Sequence, residues 1–223
     1  MAGTGATWDM APPHGDDVMV TAQNFGGGPR VGSKLDYWID RDLSHDCLIR
    51  SDGSARCTTE VELRNETPEG LTRYAAGCPY GLLRSYVEIF VPASGEVIAV
   101  NQDQAPVEFR SEPQAGRTSL GIYVELPAAE ATSLSASYEL PPADTFSLDM
   151  TPQPLSNEAD LDVSLQLPSG WILVDGPTEA ADSTVDYEGS FDRRLHFEAR
   201  PDDRPGLTGL WARLKRFWME PVL

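Results

Sequence analysis

The sequence predicts an all-β protein: two packed Ig-like antiparallel β-sandwich units followed by a C-terminal amphipathic helix. Three patterns carry that expectation. Apolar residues alternate with period two from Lys34 to about residue 201. The alternating runs are short and bounded by Pro, Gly and Ser clusters, the spacing of sandwich strands. A helical period appears only in the last twenty or so residues. The 223 residues are 40% hydrophobic, enough for a core, and contain no apolar run long enough to span a bilayer.

Taken in order, the expected units are a flexible N-terminal segment at 1–29, a sandwich at 30–141, a smaller β unit at 142–202 and a tail at 203–223. SHDCLIR and ARCTTEVELRN read as a hairpin around Asp52-Gly53, a strong two-residue turn signal. Leu43, His45, Cys47 and Ile49 face one way on its first strand, and Cys57, Thr59, Val61 and Leu63 on its second. Strands follow at 84–92, 96–101, 106–110, 118–127 and 132–141, three of them ending in proline (Pro92, Pro127, Pro141), which donates no hydrogen bond to a ladder. Pro141-Pro142 reads as a joint. Beyond it TFSLDMTPQP, LDVSLQLP, WILVDG, STVDYEG and RLHFEARP make roughly sixty residues of further strands, marginal as an independent fold and so expected to pack on the first unit. In the tail, Leu207, Leu210, Trp211, Leu214, Phe217 and Trp218 form one apolar stripe between Pro205 and Pro221, with Arg213, Lys215 and Arg216 on the other faces. Such a helix docks on an acidic β surface or a partner, or lies in a membrane interface as a peripheral anchor.

Charge narrows the partners. Thirty-five acidic against seventeen basic residues give −18, which argues against a nucleic-acid partner, since phosphate binding needs a basic face. Residues 1–192 hold ten basic and thirty-one acidic residues (10 − 31 = −21), and 193–223 hold seven and four (7 − 4 = +3). The start MAGTGATWDMAPPHGDDVMV lacks the basic and apolar regions of a signal peptide, so the expectation is either a cytosolic protein or a fragment whose export signal lies upstream.

Motifs for chemistry are sparse. GGGPRVGSK (26–34) departs from a phosphate-binding loop because Ser33 precedes Lys34 and Pro29 removes an amide, which makes a connector the expectation. Asp36, Asp40, Asp42 and Asp46 share a face as a solvated acidic ladder and lack the spacing of a calcium loop. His14, His45 and His196 are scattered, no nucleophile elbow or metal-binding helix motif occurs, and neither a catalytic residue, a metal nor a cofactor is expected. Asn65-Glu66-Thr67 is a formal glycosylation sequon, read as a strand-ending Asn. If the hairpin loop has three residues, 47 + 57 equals the register sum of 104 and Cys47 faces Cys57. A disulfide between them, two buried free thiols, and a partnership with Cys78 remain the alternatives. Trp38, Tyr80, Tyr86 and Trp171 are candidate sugar-facing aromatics, each also suited to a core.

Asn24, Gly26, Gly27, Lys34, Asp36 and Tyr37, then Asp52-Gly53, Asn65 with Pro68, Gly70-Leu71 with Tyr74, and Phe90 with Pro92 together resemble a known pattern. It is that of the C-terminal region of a family of large membrane-anchored actinobacterial proteins of unknown function. Gln153-Pro154 followed by LDVSL is similar to that family's second β unit, and the resemblance covers roughly residues 20–170. PRVGS lengthens the loop between Gly27 and Lys34, and the family's large N-terminal portion with its membrane helix is not in this sequence, so the chain would be a truncated or separately encoded tail. The resemblance implies an extracellular, cell-envelope setting linked to surface polysaccharide, and no reaction. That setting favours the Cys47–Cys57 bridge. A non-enzymatic binding or structural module is therefore expected, its ligand a cell-surface glycan or a protein partner; a carboxylate-based glycan hydrolase or transferase is the enzymatic alternative.

Overall fold

The computed structural model describes residues 16–25, 33–153, 157, 159–181 and 183–202. The expected amphipathic helix (Leu207, Leu210, Trp211, Leu214, Phe217, Trp218) and most of the glycine-rich stretch at 26–34 lie outside the described residues. Among the described residues, no helix is long and apolar enough to cross a membrane.

The described residues form fourteen strands: β1 (Asp16–Asn24), β2 (Ile39–Ile49), β3 (Ala55–Asn65), β4 (Leu83–Pro92), β5 (Glu96–Gln102), β6 (Ala105–Pro106), β7 (Arg110–Gln114), β8 (Arg117–Leu126), β9 (Ala131–Leu140), β10 (Phe146–Thr151), β11 (Asp160–Gln166), β12 (Trp171–Asp175), β13 (Thr184–Ser190) and β14 (Leu195–Pro201). They build two seven-stranded sheets. The first runs β12-β14-β10-β1-β4-β8-β7 and the second β13-β11-β2-β3-β9-β5-β6. Inward-facing residues of both sheets, among them Val18, Val87, Leu120 and Ile122 from the first and Leu43, Val61, Leu134 and Tyr138 from the second, form one continuous core.

Two expectations are corrected by this topology. Residues 16–24, expected within a flexible segment, are the central strand of the first sheet, between β10 and β4. Val18 and Val20 face the inter-sheet core, while Met19 lies on the opposite face beside Phe90 and is also buried. A strand buried on both faces loses the polar-apolar alternation that marks a half-buried one. The strands at 146–201 do not form a second unit either. β10, β12 and β14 join the first sheet and β11 and β13 the second, so successive strands alternate between sheets. β10 pairs with β1 and β11 with β2 in parallel, whereas every other strand pairing is antiparallel. The expected strand at 106–110 is instead the end of β6, a connection and the start of β7. Leu35–Trp38 is a 3-10 turn and Arg73–Ala76 (α1) a single helical turn capped by the Thr72 hydroxyl.

The β2–β3 hairpin has the three-residue loop. Arg50 N–H donates to Ser54 O at 2.8 Å, and the Asp52 carboxylate accepts from both the N–H and the hydroxyl of Ser54. Gly53 sits at φ +77°, and a Cβ there would meet Ala143 O at 1.7 Å, so only glycine lets the β9–β10 connection close over the turn. Cys47 then faces Cys57 with Cα atoms 4.2 Å apart, and the two are joined in a disulfide. Beside it His45 is fully buried, with Nδ1 2.9 Å from Thr59 Oγ1 and Nε2 3.2 Å from Cys47 Sγ. A disulfide sulfur has no hydrogen to give, so Nε2 carries the proton and Nδ1 accepts from the hydroxyl. Burial pushes the imidazole pKa down to about 4. At the far end of β3, Asn65 is wholly buried. Its amide donates to Gly81 O and Leu126 O at 2.8 Å each, and its carbonyl accepts from Thr67, which makes it a tie between strands and not a surface acceptor.

Two outcomes follow. A chain of residues 142–202 alone should show no cooperative unfolding in urea, because the sheets its strands extend, through β10 on β1 and β11 on β2, lie outside it; a sigmoidal transition would contradict the shared-sheet topology. His45 is neutral when folded and protonates near 6.5 when unfolded, so the unfolded chain binds the extra proton and stability falls as pH drops from about 6.5 to 4. The shift corresponds to about 3 kcal/mol, and urea denaturation of His45→Gln against wild type at pH 7 and pH 4 should show the variant losing less over that interval.

Candidate functional site

The outer face of the first sheet divides into an ionic half and an aromatic half. The ionic half lies on one row across the sheet, where Asp149 of β10 pairs with Asp17 of β1 and with His196 of β14. Asp17 and Asp149 are buried, and Arg117 reaches Asp17 from the start of β8. Arg194 bridges the two carboxylates, 2.8 Å from Asp149 Oδ2 and 3.9 Å from Asp17 Oδ2. The remaining oxygens take Thr151 Oγ1 at 3.4 Å on Asp17 and His196 Nδ1 at 2.9 Å on Asp149. Two convergent buried carboxylates are what a glycosidase requires. Here all four oxygens are engaged by cations, a hydroxyl or an imidazole, which suits a cross-strand clamp and leaves neither acid free to move a proton.

In the aromatic half, outward positions of β4 and β8 stand in register: Arg84 opposite Glu125, Tyr86 opposite Tyr123, and Glu88 opposite Gly121. Gly121 is there for space. A Cβ at that position would lie 1.8 Å from Tyr86 Oη, so the Tyr86 ring lies across β8 only because the residue beneath it is glycine. Phe25, following β1, meets Tyr86 edge-on with ring centroids 6.2 Å apart. Phe25 is 57% exposed and Tyr123 52%, with Tyr86 half-buried between them. Polar groups border the strip. Arg84 Nε donates to Glu125 at 2.7 Å, the Tyr123 hydroxyl donates to the same carboxylate at 3.3 Å, and Glu88 accepts from Ser119 at 2.7 Å. Hydrogen bonding to Arg84 holds the Glu125 carboxyl below the usual range, so the border stays charged at neutral pH.

The four aromatics expected from the sequence do not converge. Tyr86 is the middle of the strip. Trp171 is buried in the core at the start of β12, and Trp38 packs half-buried against that core. Tyr80 is exposed, but its hydroxyl is occupied, donating to Pro68 O at 2.7 Å and accepting from Leu71 N–H at 2.8 Å. Phe25 and Tyr123 escaped sequence reading because β1, β4 and β8 are joined only by long-range pairing.

On the second sheet, Asp40, Asp42 and Asp46 alternate with the inward residues of β2 as expected, and Asp36 lies on the preceding turn. β11 and β13 add Asp162 and Asp186 beside Asp46, whose carboxyl is held above its usual range by partial burial and by these two neighbours. Among the described residues, the group with metal-ligand spacing is His45, Cys47 and Cys57, and its two sulfurs are bonded to each other.

No protein-family pattern matches the sequence, and no curated protein matches it. Several solved structures superpose on part of the chain at low similarity. A Legionella pneumophila protein described as a "putative nutrient binding protein" superposes with a TM-score of 0.48 at 11% identity, over 82% of this chain and 72% of that one. Yeast LTA4 hydrolase in complex with bestatin gives 0.46 at 9% identity, over 78% of this chain and 31% of the hydrolase. The M1 zinc metallopeptidase of Deinococcus radiodurans gives 0.38 at 12% identity, over 73% and 42%. The chain thus spans well under half the length of either enzyme.

Proposed function

We propose that this protein is a non-enzymatic binding module of the cell envelope that holds a surface glycan on the Phe25–Tyr86–Tyr123 strip. The strip is the observation that carries the reading. Pyranose rings present apolar C–H faces that pack on aromatic rings, while their hydroxyls take hydrogen bonds from groups at the border, and Arg84, Glu88 and Glu125 supply those. A flat sheet of antiparallel strands holds such rings at fixed spacing with little ordering cost on binding. The extracellular setting is supported by the Cys47–Cys57 disulfide, since reducing compartments keep such thiols apart. The resemblance to membrane-anchored actinobacterial proteins points the same way. The occupied carboxylates of Asp17 and Asp149 favour binding over hydrolysis.

Affinity electrophoresis of the full chain through gels containing bacterial surface polysaccharides, preceded by a glycan array, tests the proposal. Tyr86→Ala and Tyr123→Ala are each expected to weaken retention about tenfold, roughly 1.4 kcal/mol. Tyr74→Ala, exposed on the short helical turn, is expected to leave it unchanged. Full retention by both strip variants would remove the strip as the binding face.

A further inference from the structure

Arg41 occupies a position the fold reserves for apolar side chains. Odd-numbered residues of β2 face the space between the sheets, and Arg41 stands in line with Ile39, Leu43 and Cys47. Its side chain is 6% exposed. Five guanidinium hydrogens are available there, and they are poorly used. Nη1 reaches Ile39 O at 3.3 Å, Nη2 is 4.0 Å from Asp36, and Nε has no hydrogen-bond partner among the described residues. Burial pulls the guanidinium pKa down, opposed by Asp36 and Asp40. A buried cation so weakly partnered is destabilising relative to an apolar residue of similar size.

The same guanidinium lines a cavity of about 360 Å³ at one end of the sandwich, between the sheets. That volume lies in the range of small-molecule sites. Val20, Leu43, Val61, Val87 and Phe191 give it apolar walls. Its other polar residues are already committed or sit at the rim. The Gln153 amide bonds the N–H and C=O of Ala22, and the Asn157 amide donates to Tyr37 O. Asp192 is exposed and makes no ion pair with Arg41 among the described residues. A cavity with apolar walls and one under-used guanidinium is complementary to a single anionic head on an apolar body.

We propose that this cavity is a binding site for a monocarboxylate with an apolar chain, its carboxylate held by Arg41 and its chain packed between the sheets. A planar guanidinium takes a carboxylate through two parallel hydrogen bonds, closer than the 4.0 Å contact with Asp36 and using donors that Ile39 O leaves idle. The site is separate from the aromatic strip, which lies on the outer face of the first sheet, and neither reading depends on the other.

Isothermal titration of the full chain with sodium octanoate below its micellar range, at physiological salt, tests the site. Saturable octanoate binding is expected, with 1-octanol binding at least tenfold more weakly. Arg41→Met is expected to weaken octanoate at least tenfold and to raise the thermal midpoint of the ligand-free protein, since it removes a buried charge whose ion pair with Asp36 is long. Ala22→Phe keeps the guanidinium and fills the cavity, and it too is expected to weaken octanoate at least tenfold. Equal affinity for octanoate and octanol overturns the proposal, as do unchanged octanoate binding by either variant, a lowered midpoint for Arg41→Met, or no octanoate binding by the wild type at millimolar concentration. Should Arg41→Met fail to fold, the octanol comparison and Ala22→Phe decide alone.

Discussion

Two parallel strand pairings, β1 with β10 and β2 with β11, hold the rest of the structure in place. Each joins the N-terminal part of the chain to its last third, and each does so in a different sheet. Without them the strands after residue 142 have no sheet to extend, and the first sheet is severed at its centre. Parallel pairs need long crossovers, and these span more than a hundred residues, so the chain closes its core only after the C-terminal strands have returned. The inter-sheet cavity and the ionic row are products of the same closure. Asp17 meets Asp149, and Ala22 meets Gln153, because β10 runs beside β1.

Local pattern revealed most strands and little of their order. The β2–β3 hairpin is legible, and its register, with Cys47 opposite Cys57, follows once the loop is known to have three residues, because a turn of defined length fixes which residues face each other. Strands joined by a short turn constrain one another in that way; β1 and β10 do not. The division into two units failed for that reason, since a run of short alternating strands looks the same whether it forms its own sandwich or interleaves with an earlier one. β1 falls in the segment expected to be flexible, because Val18, Met19 and Val20 are buried on both faces and show no alternation that would mark a strand. Of the aromatic strip only Tyr86 was legible. Its partners are set by the β1–β4–β8 pairing, and the one local cue was Gly121, a strand glycine whose missing side chain makes room for a ring from the neighbouring strand.

Buried polar groups fall into two kinds. His45, Asn65 and the Asp17–Asp149–Arg117–Arg194 cluster have partners supplied by the protein, and they fix the register of the strands that carry them. Arg41 differs, since its donors outnumber what the fold offers them. Arg117 also leaves its Nε unpartnered, but its guanidinium meets Asp17 directly, whereas Arg41 stands 4.0 Å from Asp36, which marks Arg41 as the feature that packing alone does not explain.

The burial of Asn65 also bears on how the protein can be made. Its sequon is open to an oligosaccharyltransferase only while the end of β3 is unpaired. A glycan attached then would occupy the amide that must reach Gly81 and Leu126. A secretory host that modifies nascent chains would therefore divide its product into an unmodified folded fraction and a glycosylated fraction unable to close the sandwich. A bacterial periplasm, oxidising but without that modification, meets the needs of Cys47, Cys57 and Asn65 together.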